Sequence, residues 1–253
     1  MQTVTNQKPV AVVTGASSGI GAASARALAA ADFDVILGAR RIEKLQSIAE
    51  ECGGTAIALD VTDDASVAAF AEQVPNCSLL VNNAGGAVGV EPVAEASISD
   101  WQWMYDTNVL GTLRLTQAFL PKLIDSGDGQ VINIGSIAGR EAYEGGGGYN
   151  VAKFGITAMT RSLRIELLGK PVRVCQIDPG MVHTEFSTVR FRGDQDKADA
   201  VYAGVEPLTA EDIADTIAWV ATRPARVNFD QILVLARDQI SAKVAYRRET
   251  DQG

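Results

Sequence analysis

A single histidine and three cysteines in 253 residues leave little material for metal or disulfide chemistry. His183, alone on a loop, cannot build a His-rich centre, so no metal is expected. Cys52, Cys77 and Cys175 are an odd set without C-x-x-C spacing, and their surroundings suit buried, reduced thiols better than a disulfide framework. Positive charge is also scarce: 22 Lys and Arg against 31 Asp and Glu give a net charge of −9. No basic cluster offsets the repulsion from a phosphate backbone, which argues against nucleic-acid partners. The chain has no run of eighteen apolar residues, and its first eight residues lack an apolar core, so neither a membrane span nor a secretory leader is expected. A cytoplasmic location follows as an expectation.

What is plentiful is apolar and small. At 47% hydrophobic residues the chain can bury a full core as one domain over 1–253, and no linker, repeat or low-complexity segment divides it. Short β-branched runs alternate with helical stretches. Val10 to Thr14, Asp34 to Ala39, Thr55 to Leu59, Ser78 to Asn82, Val131 to Ser136, Val172 to Ile177 and Gln231 to Leu235 read as seven strands. Right-handed crossovers then give an α/β, Rossmann-type, doubly wound parallel sheet with helices on both faces. Residues 98–125 read as one long helix, more apolar than a single sheet face needs, which suggests a helix-to-helix subunit contact. Residues 185–207 break the rhythm and suit a substrate lid. Residues 1–8 and 241–253 read as flexible or interface tails.

The first strand ends in Gly15-Ala16-Ser17-Ser18-Gly19-Ile20-Gly21 and opens onto an alanine-rich helix. Glycines at 15, 19 and 21 let backbone amides approach a pyrophosphate at the helix N-terminus. The second strand ends at Arg40-Arg41, where a dinucleotide fold meets the adenosine ribose, and two guanidinium groups there match a 2′-phosphate. NADP is therefore expected over NAD. Asp60, with Val61, sits at a strand end where it either contacts an adenine amino group or caps the next helix. Asn83, Ala84 and Gly85 either line the cofactor groove or shape a tight turn. Pro179-Gly180 forces a turn at the nicotinamide end, with Val182 beyond it and Thr184 placed to bond a carboxamide.

Tyr149 and Lys153 stand four apart on a helix and so share one face. A neighbouring ammonium stabilises phenolate and draws the phenol toward the working pH range, which makes Tyr149 the expected proton donor or acceptor and Lys153 its tuner. The strand before it delivers the Ser136 hydroxyl, able to bond the same substrate oxygen. Asn108, a poor helix former within a helical stretch, implies a functional or local hydrogen-bond reason, and a water held there would link Lys153 to solvent. Gly145 to Gly148 either leave space beside the phenol or form a flexible loop.

Taken together, the glycine turn from Thr14 to Gly21, the Asn82-Asn83-Ala84-Gly85 turn, Asn108, Ser136, Tyr149, Lys153 and Pro179-Gly180 resemble the short-chain dehydrogenase/reductase family in order and spacing. That resemblance implies a tetrad of Asn108, Ser136, Tyr149 and Lys153 and an NADP site formed by the residues named above. The stretch Thr184-Glu185-Phe186-Ser187-Thr188-Val189-Arg190-Phe191-Arg192-Gly193-Asp194 is similar to the NADP-dependent 3-hydroxy acid (serine, L-allo-threonine) dehydrogenase branch, whose members are typically homotetramers. The resemblance implies hydride transfer to or from a small 3-hydroxy acid; a carbonyl reductase for neutral aldehydes or ketones is the alternative, and a non-catalytic nucleotide sensor a further one. Arg140, Arg190, Arg192 and Lys197 are the candidate partners for a substrate carboxylate.

Overall fold

A computed structural model describes residues 8–248. Seven strands and the helices between them follow in strict alternation through the first half: β1 (Val10–Thr14), α1 (Gly19–Ala30), β2 (Asp34–Ala39), α2 (Ile42–Cys52), β3 (Thr55–Ala58), α3 (Asp64–Glu72) and β4 (Leu79–Asn82). The second half adds α4 (Ile98–Tyr105), α5 (Gly111–Asp125), β5 (Gly129–Ile134), α6 (Gly147–Glu166), β6 (Val172–Pro179), α7 (Phe186–Arg190), α8 (Gln195–Ala200), α9 (Ala210–Ala221) and β7 (Gln231–Val234). All pair in parallel, in the order β3-β2-β1-β4-β5-β6-β7. The order reverses between β1 and β4, and a crevice opens there at the carboxyl ends of the strands.

Alternate residues of β1 explain why both faces carry helices. Ala11 and Val13 enter one core with residues of α1, α2 and α9, such as Leu28, Leu45 and Ile217; Val12 enters the other with Phe70 of α3, Phe119 of α5 and Leu163 of α6. The central strands are thus covered on both faces, which is why β1 and β4 are almost wholly apolar, while the edge strands β3 and β7 are only half-buried. Cys77 and Cys175 are buried there as free thiols, each pushed up to about 12, chiefly by burial.

The helical stretch 98–125 is not one regular helix. Between α4 and α5 the turn Asp106–Leu110 has π geometry, an expansion that carries Asn108 at its centre. Part of its apolar surplus is covered within the subunit, because Trp101 and Met104 pack on the N-terminus of α6. That helix starts at Gly147, two residues before the expected start at Tyr149. The run divides: Gly145 lines the cleft beside Tyr149, whereas a Cβ at Gly147 would lie 2.8 Å from Trp101 and one at Gly148 would collide with Met104, so the last two glycines allow two helices to approach closely.

Residues 185–207 contain α7 and α8. The tail from Ser241 to Arg248 is packed: Arg248 N–H donates to the Gly204 carbonyl at 2.7 Å, and Ala242 N–H to Glu141 at 2.9 Å. The remainders of the two expected tails, 1–7 and 249–253, lie outside the described residues.

Candidate active site

A cleft of about 920 Å³ runs across the carboxyl edge of the sheet, from the end of β2 past β1 and β4 to the end of β6. Its wall begins with the glycine turn, where Gly15 and Gly19 have φ of +66° and +53°, in the left-handed region open to glycine. Gly15, Ser17, Ser18, Gly19 and Ile20 all line the cleft. Gly21 does not; a Cβ there would collide with the Gly15 carbonyl, so this residue shapes the turn from behind. Asn83 lines the cleft as well, but its side-chain amide donates to the Thr14 carbonyl at 2.9 Å, and the Thr14 hydroxyl accepts from both Asn83 N–H and Ala84 N–H at 3.0 Å. β1 and β4 are stitched together at the switch point by these bonds.

At the adenosine end stand Arg40, Arg41, Asp60 and Val61, all on the wall. The Asp60 carboxylate accepts from Thr62 N–H at 2.9 Å and from its hydroxyl at 2.7 Å. Burial raises its pKa, yet these bonds more than compensate and hold it below its ordinary value. It is not the cap of α3, a role filled by Asp63, which accepts from Ala65 N–H at 3.1 Å. The Arg41 guanidinium donates to the Ser17 and Ser18 hydroxyls at 3.2 and 2.5 Å and to Glu185 at 2.8 Å, so it is held in a polar cradle at the start of α2.

At the other end Ser136, Tyr149 and Lys153 share the wall with Pro179, Gly180, Val182 and Thr184. Ser136 follows the last residues of β5, where a bond from Ala138 N–H to its hydroxyl oxygen at 3.1 Å starts a short 3₁₀ turn and fixes the side chain. Asn150, missed in the sequence, ties α6 to that turn: its amide donates to the Ala138 and Glu141 carbonyls at 2.8 and 3.1 Å. Tyr149 and Ser136 are thereby held in fixed relation. Lys153 is buried, with Nζ donating to the Ile134 carbonyl at 2.8 Å and lying 5.7 Å from the Tyr149 ring centre.

The electrostatics differ from the expectation that the lysine draws the phenol down. Burial pushes the Tyr149 phenol up from its ordinary value, with Tyr143 adding to the rise and Ser136 and Arg190 opposing it. Burial likewise depresses Lys153, to about 8, against the pull of Asp178. In the cofactor-free chain desolvation outweighs pairing, so the phenol is held protonated.

Asn108 makes the local hydrogen bonds that an asparagine in this helical stretch implies. It is buried, does not line the cleft, and commits its amide to the Gly86 and Met104 carbonyls at 2.9 and 2.7 Å while accepting from Gly86 N–H at 3.2 Å. These bonds brace the Gly85-Gly86 turn.

Of the four cations considered for a substrate carboxylate, only Arg190 reaches the cleft. Arg140 pairs with the buried Asp178 at 2.7 Å, Arg192 with Asp100 at 2.5 Å, and Lys197 with Asp194 at 2.9 Å. Arg190 donates to the Tyr143 hydroxyl and the Gly145 carbonyl, each at 2.9 Å, and its Nε is buried without a partner. Lys243, from the packed tail, lies 5.4 Å from the Tyr143 ring centre and lines the same wall. Phe186 covers Tyr149, ring centre to ring centre, at 5.3 Å. Neither Tyr143 nor Lys243 carries a sequence signal of its own; both reach the cleft through loops whose course periodicity does not give.

The parallel sheet with its switch-point cleft, glycine turn and Ser-Tyr-Lys grouping defines a dinucleotide-fold oxidoreductase. The chain belongs to the short chain dehydrogenase family, whose pattern it matches over residues 9–195. It is 59% identical to an uncharacterised oxidoreductase of Mycobacterium tuberculosis over 96% of both chains. It is 43% identical to the sulfoacetaldehyde reductase of Chromohalobacter salexigens, over 90% of this chain and 93% of that one. Among solved structures, a closed form of serine dehydrogenase complexed with NADP+ superposes with a TM-score of 0.90 at 38% identity, covering 95% of this chain and all of the other. No helix among the described residues is long and apolar enough to cross a membrane.

Proposed function

We propose that the protein is an NADP-dependent oxidoreductase that interconverts an alcohol and a carbonyl on a small substrate bearing an anionic group, a 3-hydroxy acid such as serine or allo-threonine being the favoured class. The observation that carries this reading is the placement of Ser136, Tyr149 and Lys153 on one wall of a cleft whose far end holds Arg41 in a cradle of hydroxyls. That cradle fits a 2′-phosphate, because an anion, the Glu185 carboxylate, already bonds to its guanidinium. The glycine turn, Asp60, Val61, Ala84, Gly85, Gly180, Val182 and Thr184 would hold the remainder of the cofactor. When bound, NADP(H) supplies or accepts the hydride.

The residues of this chain manage the oxygen. Tyr149, held protonated by burial, gives its proton to the carbonyl oxygen in reduction and takes it back in oxidation. Ser136 bonds the same oxygen and fixes its distance from the phenol. Lys153, held at the end of β5, keeps a positive charge near the phenol as that proton leaves and would bond the nicotinamide ribose of a bound cofactor. Asn108 supports the turn that forms the floor. Phe186 and Arg190, at the two ends of α7, let 185–207 act as a lid over Tyr149.

An anionic group on the substrate is supported by Arg190 and Lys243, both close to the Tyr143 ring, and by the names of the similar proteins, since serine and sulfoacetaldehyde both carry an acidic group. Neutral carbonyl compounds are the second reading, favoured by the apolar lining of Val90, Trp103, Phe186 and Phe191. Turnover of a 3-hydroxy acid against its methyl ester separates the two: a strong preference for the acid is expected, and equal rates would remove the anionic requirement. The exposed apolar residues Tyr105, Leu113, Val151 and Phe154 on α4, α5 and α6 support a homo-oligomer, with a tetramer favoured. A cytoplasmic enzyme is consistent with this reading.

A further inference from the structure

The Arg41 guanidinium is fully engaged on one side. Its Nη1 donates to Glu185 at 2.8 Å, while Lys44 donates to the other oxygen of the same carboxylate at 3.2 Å. Two cations from the start of α2 thus close on one acid from the opposite lip of the cleft. The Arg41 pair first, then the neighbouring Lys44 and Ser18, hold the Glu185 carboxyl down to about 2 against a rise from burial. The carboxylate stands where a phosphate monoester would stand: an oxyanion bonded by one guanidinium nitrogen of Arg41 and by an ammonium, beside two serine hydroxyls that accept from the other guanidinium nitrogens.

Glu185 is also the residue that immediately precedes α7. One residue on, Phe186 covers Tyr149; at the end of the same short helix, Arg190 holds Tyr143 and the Gly145 carbonyl. Six consecutive residues therefore connect the ribose-phosphate end of the cleft to its reaction end. Whatever displaces the Glu185 carboxylate acts on the helix that covers the tyrosine.

We infer that Glu185 is an intramolecular competitor for the cofactor's 2′-phosphate, which must displace its carboxylate from Arg41 and Lys44, and that this exchange couples cofactor identity to the position of α7. The inference rests on the NADP reading above. A 2′-phosphate carries between one and two negative charges at neutral pH and outbids a single carboxylate for the same pair of cations. NAD, with a 2′-hydroxyl, leaves the Glu185 pairs intact and does not report to α7. Glu185 consequently lowers affinity for NADP without touching affinity for NAD, and so narrows the discrimination that Arg41 supplies.

The test is equilibrium binding to the full chain, read by calorimetry, with adenosine 2′,5′-bisphosphate and 5′-AMP as probes. Wild type should prefer the bisphosphate; equal affinity would defeat the NADP reading itself, separately from the role of Glu185. In Glu185→Gln the Kd for the bisphosphate should fall three- to tenfold while that for 5′-AMP stays unchanged. An unchanged or weakened bisphosphate affinity would overturn the inference, because Glu185 would then be a bystander or a support of the site. Hydrogen exchange supplies the second readout: in wild type the amides of 186–190 should change on adding the bisphosphate and not on adding 5′-AMP. In Glu185→Gln the cofactor-free pattern should already match the bisphosphate-bound one; identical cofactor-free patterns in the two proteins would sink the coupling.

Discussion

Lys153 donates to the carbonyl of Ile134 at 2.8 Å, so the buried ammonium is anchored to the last residue of β5 rather than to the phenol it serves. A lysine held this way has few escape routes to water, and desolvation brings its pKa from the ordinary 10.5 to about 8. The folded state therefore releases this proton at lower pH than the unfolded chain. Between about 8 and 10.5 the unfolded state binds more protons, and stability rises with pH in that window. Denaturant titrations of wild type and Lys153→Met at several pH values should show the difference between them shifting in favour of wild type from pH 8 upward, by at most ~1.4 kcal/mol per unit of pH. A difference that is flat across the window would show that Lys153 keeps its solution pKa when folded.

Tyr149→Phe removes one oxygen and little else. The ring remains under Phe186, and the phenol's burial carries an energetic cost for ionisation that phenylalanine does not have. The variant should fold as well as wild type and bind cofactor with unchanged affinity, while turnover falls by about 10²–10⁴, the usual contribution of a positioned acid or base. Retention of full turnover would remove Tyr149 from the chemistry.

Asn108 supports a prediction of the opposite kind, on stability. Its side chain satisfies the N–H and the carbonyl of Gly86 and the carbonyl of Met104, all within the protein interior. Asn108→Ala leaves these groups without that partner at about 1–3 kcal/mol for each one that finds no substitute. Thermal unfolding should drop by several degrees, and turnover should fall because the Gly85-Gly86 turn loses its brace. A fall in turnover with unchanged stability would instead indicate a direct part in proton transfer.

The central strands were legible in the sequence because their apolar residues serve two cores; β1 needs Ala11 and Val13 for one core and Val12 for the other. The glycine turn and the Tyr149–Lys153 pair were legible because backbone geometry and helical spacing are local properties. Arg140, Arg192 and Lys197 were not separable from Arg190 for the opposite reason. Whether a surface arginine faces a cleft depends on the loop that carries it and on acids distant in sequence, here Asp178 38 residues away from Arg140 and Asp100 92 residues away from Arg192. The π turn at Asn108 was hidden as well, since a single expanded turn leaves helical periodicity nearly intact.

Arg190 carries the prediction on substrate choice. Two of its nitrogens hold Tyr143 and Gly145, while Nε has no partner in the protein, so the guanidinium enters the cleft wall with bonding capacity left over. A carboxylate or sulfonate on the substrate would take up that capacity. Charge-assisted bonds of this sort contribute about 1.5–3 kcal/mol, equivalent to roughly 10- to 100-fold in binding at ~1.4 kcal/mol per tenfold. Arg190→Met should therefore raise KM for a 3-hydroxy acid by that factor and leave KM for its methyl ester nearly unchanged. Arg190→Lys keeps the charge but not the planar fork, and it should recover only part of the loss because one ammonium cannot hold Tyr143, Gly145 and the substrate together. Should both variants weaken acid and ester alike, Arg190 would be a support of the cleft wall, and Lys243 beside the Tyr143 ring would be the cation that meets the anionic group.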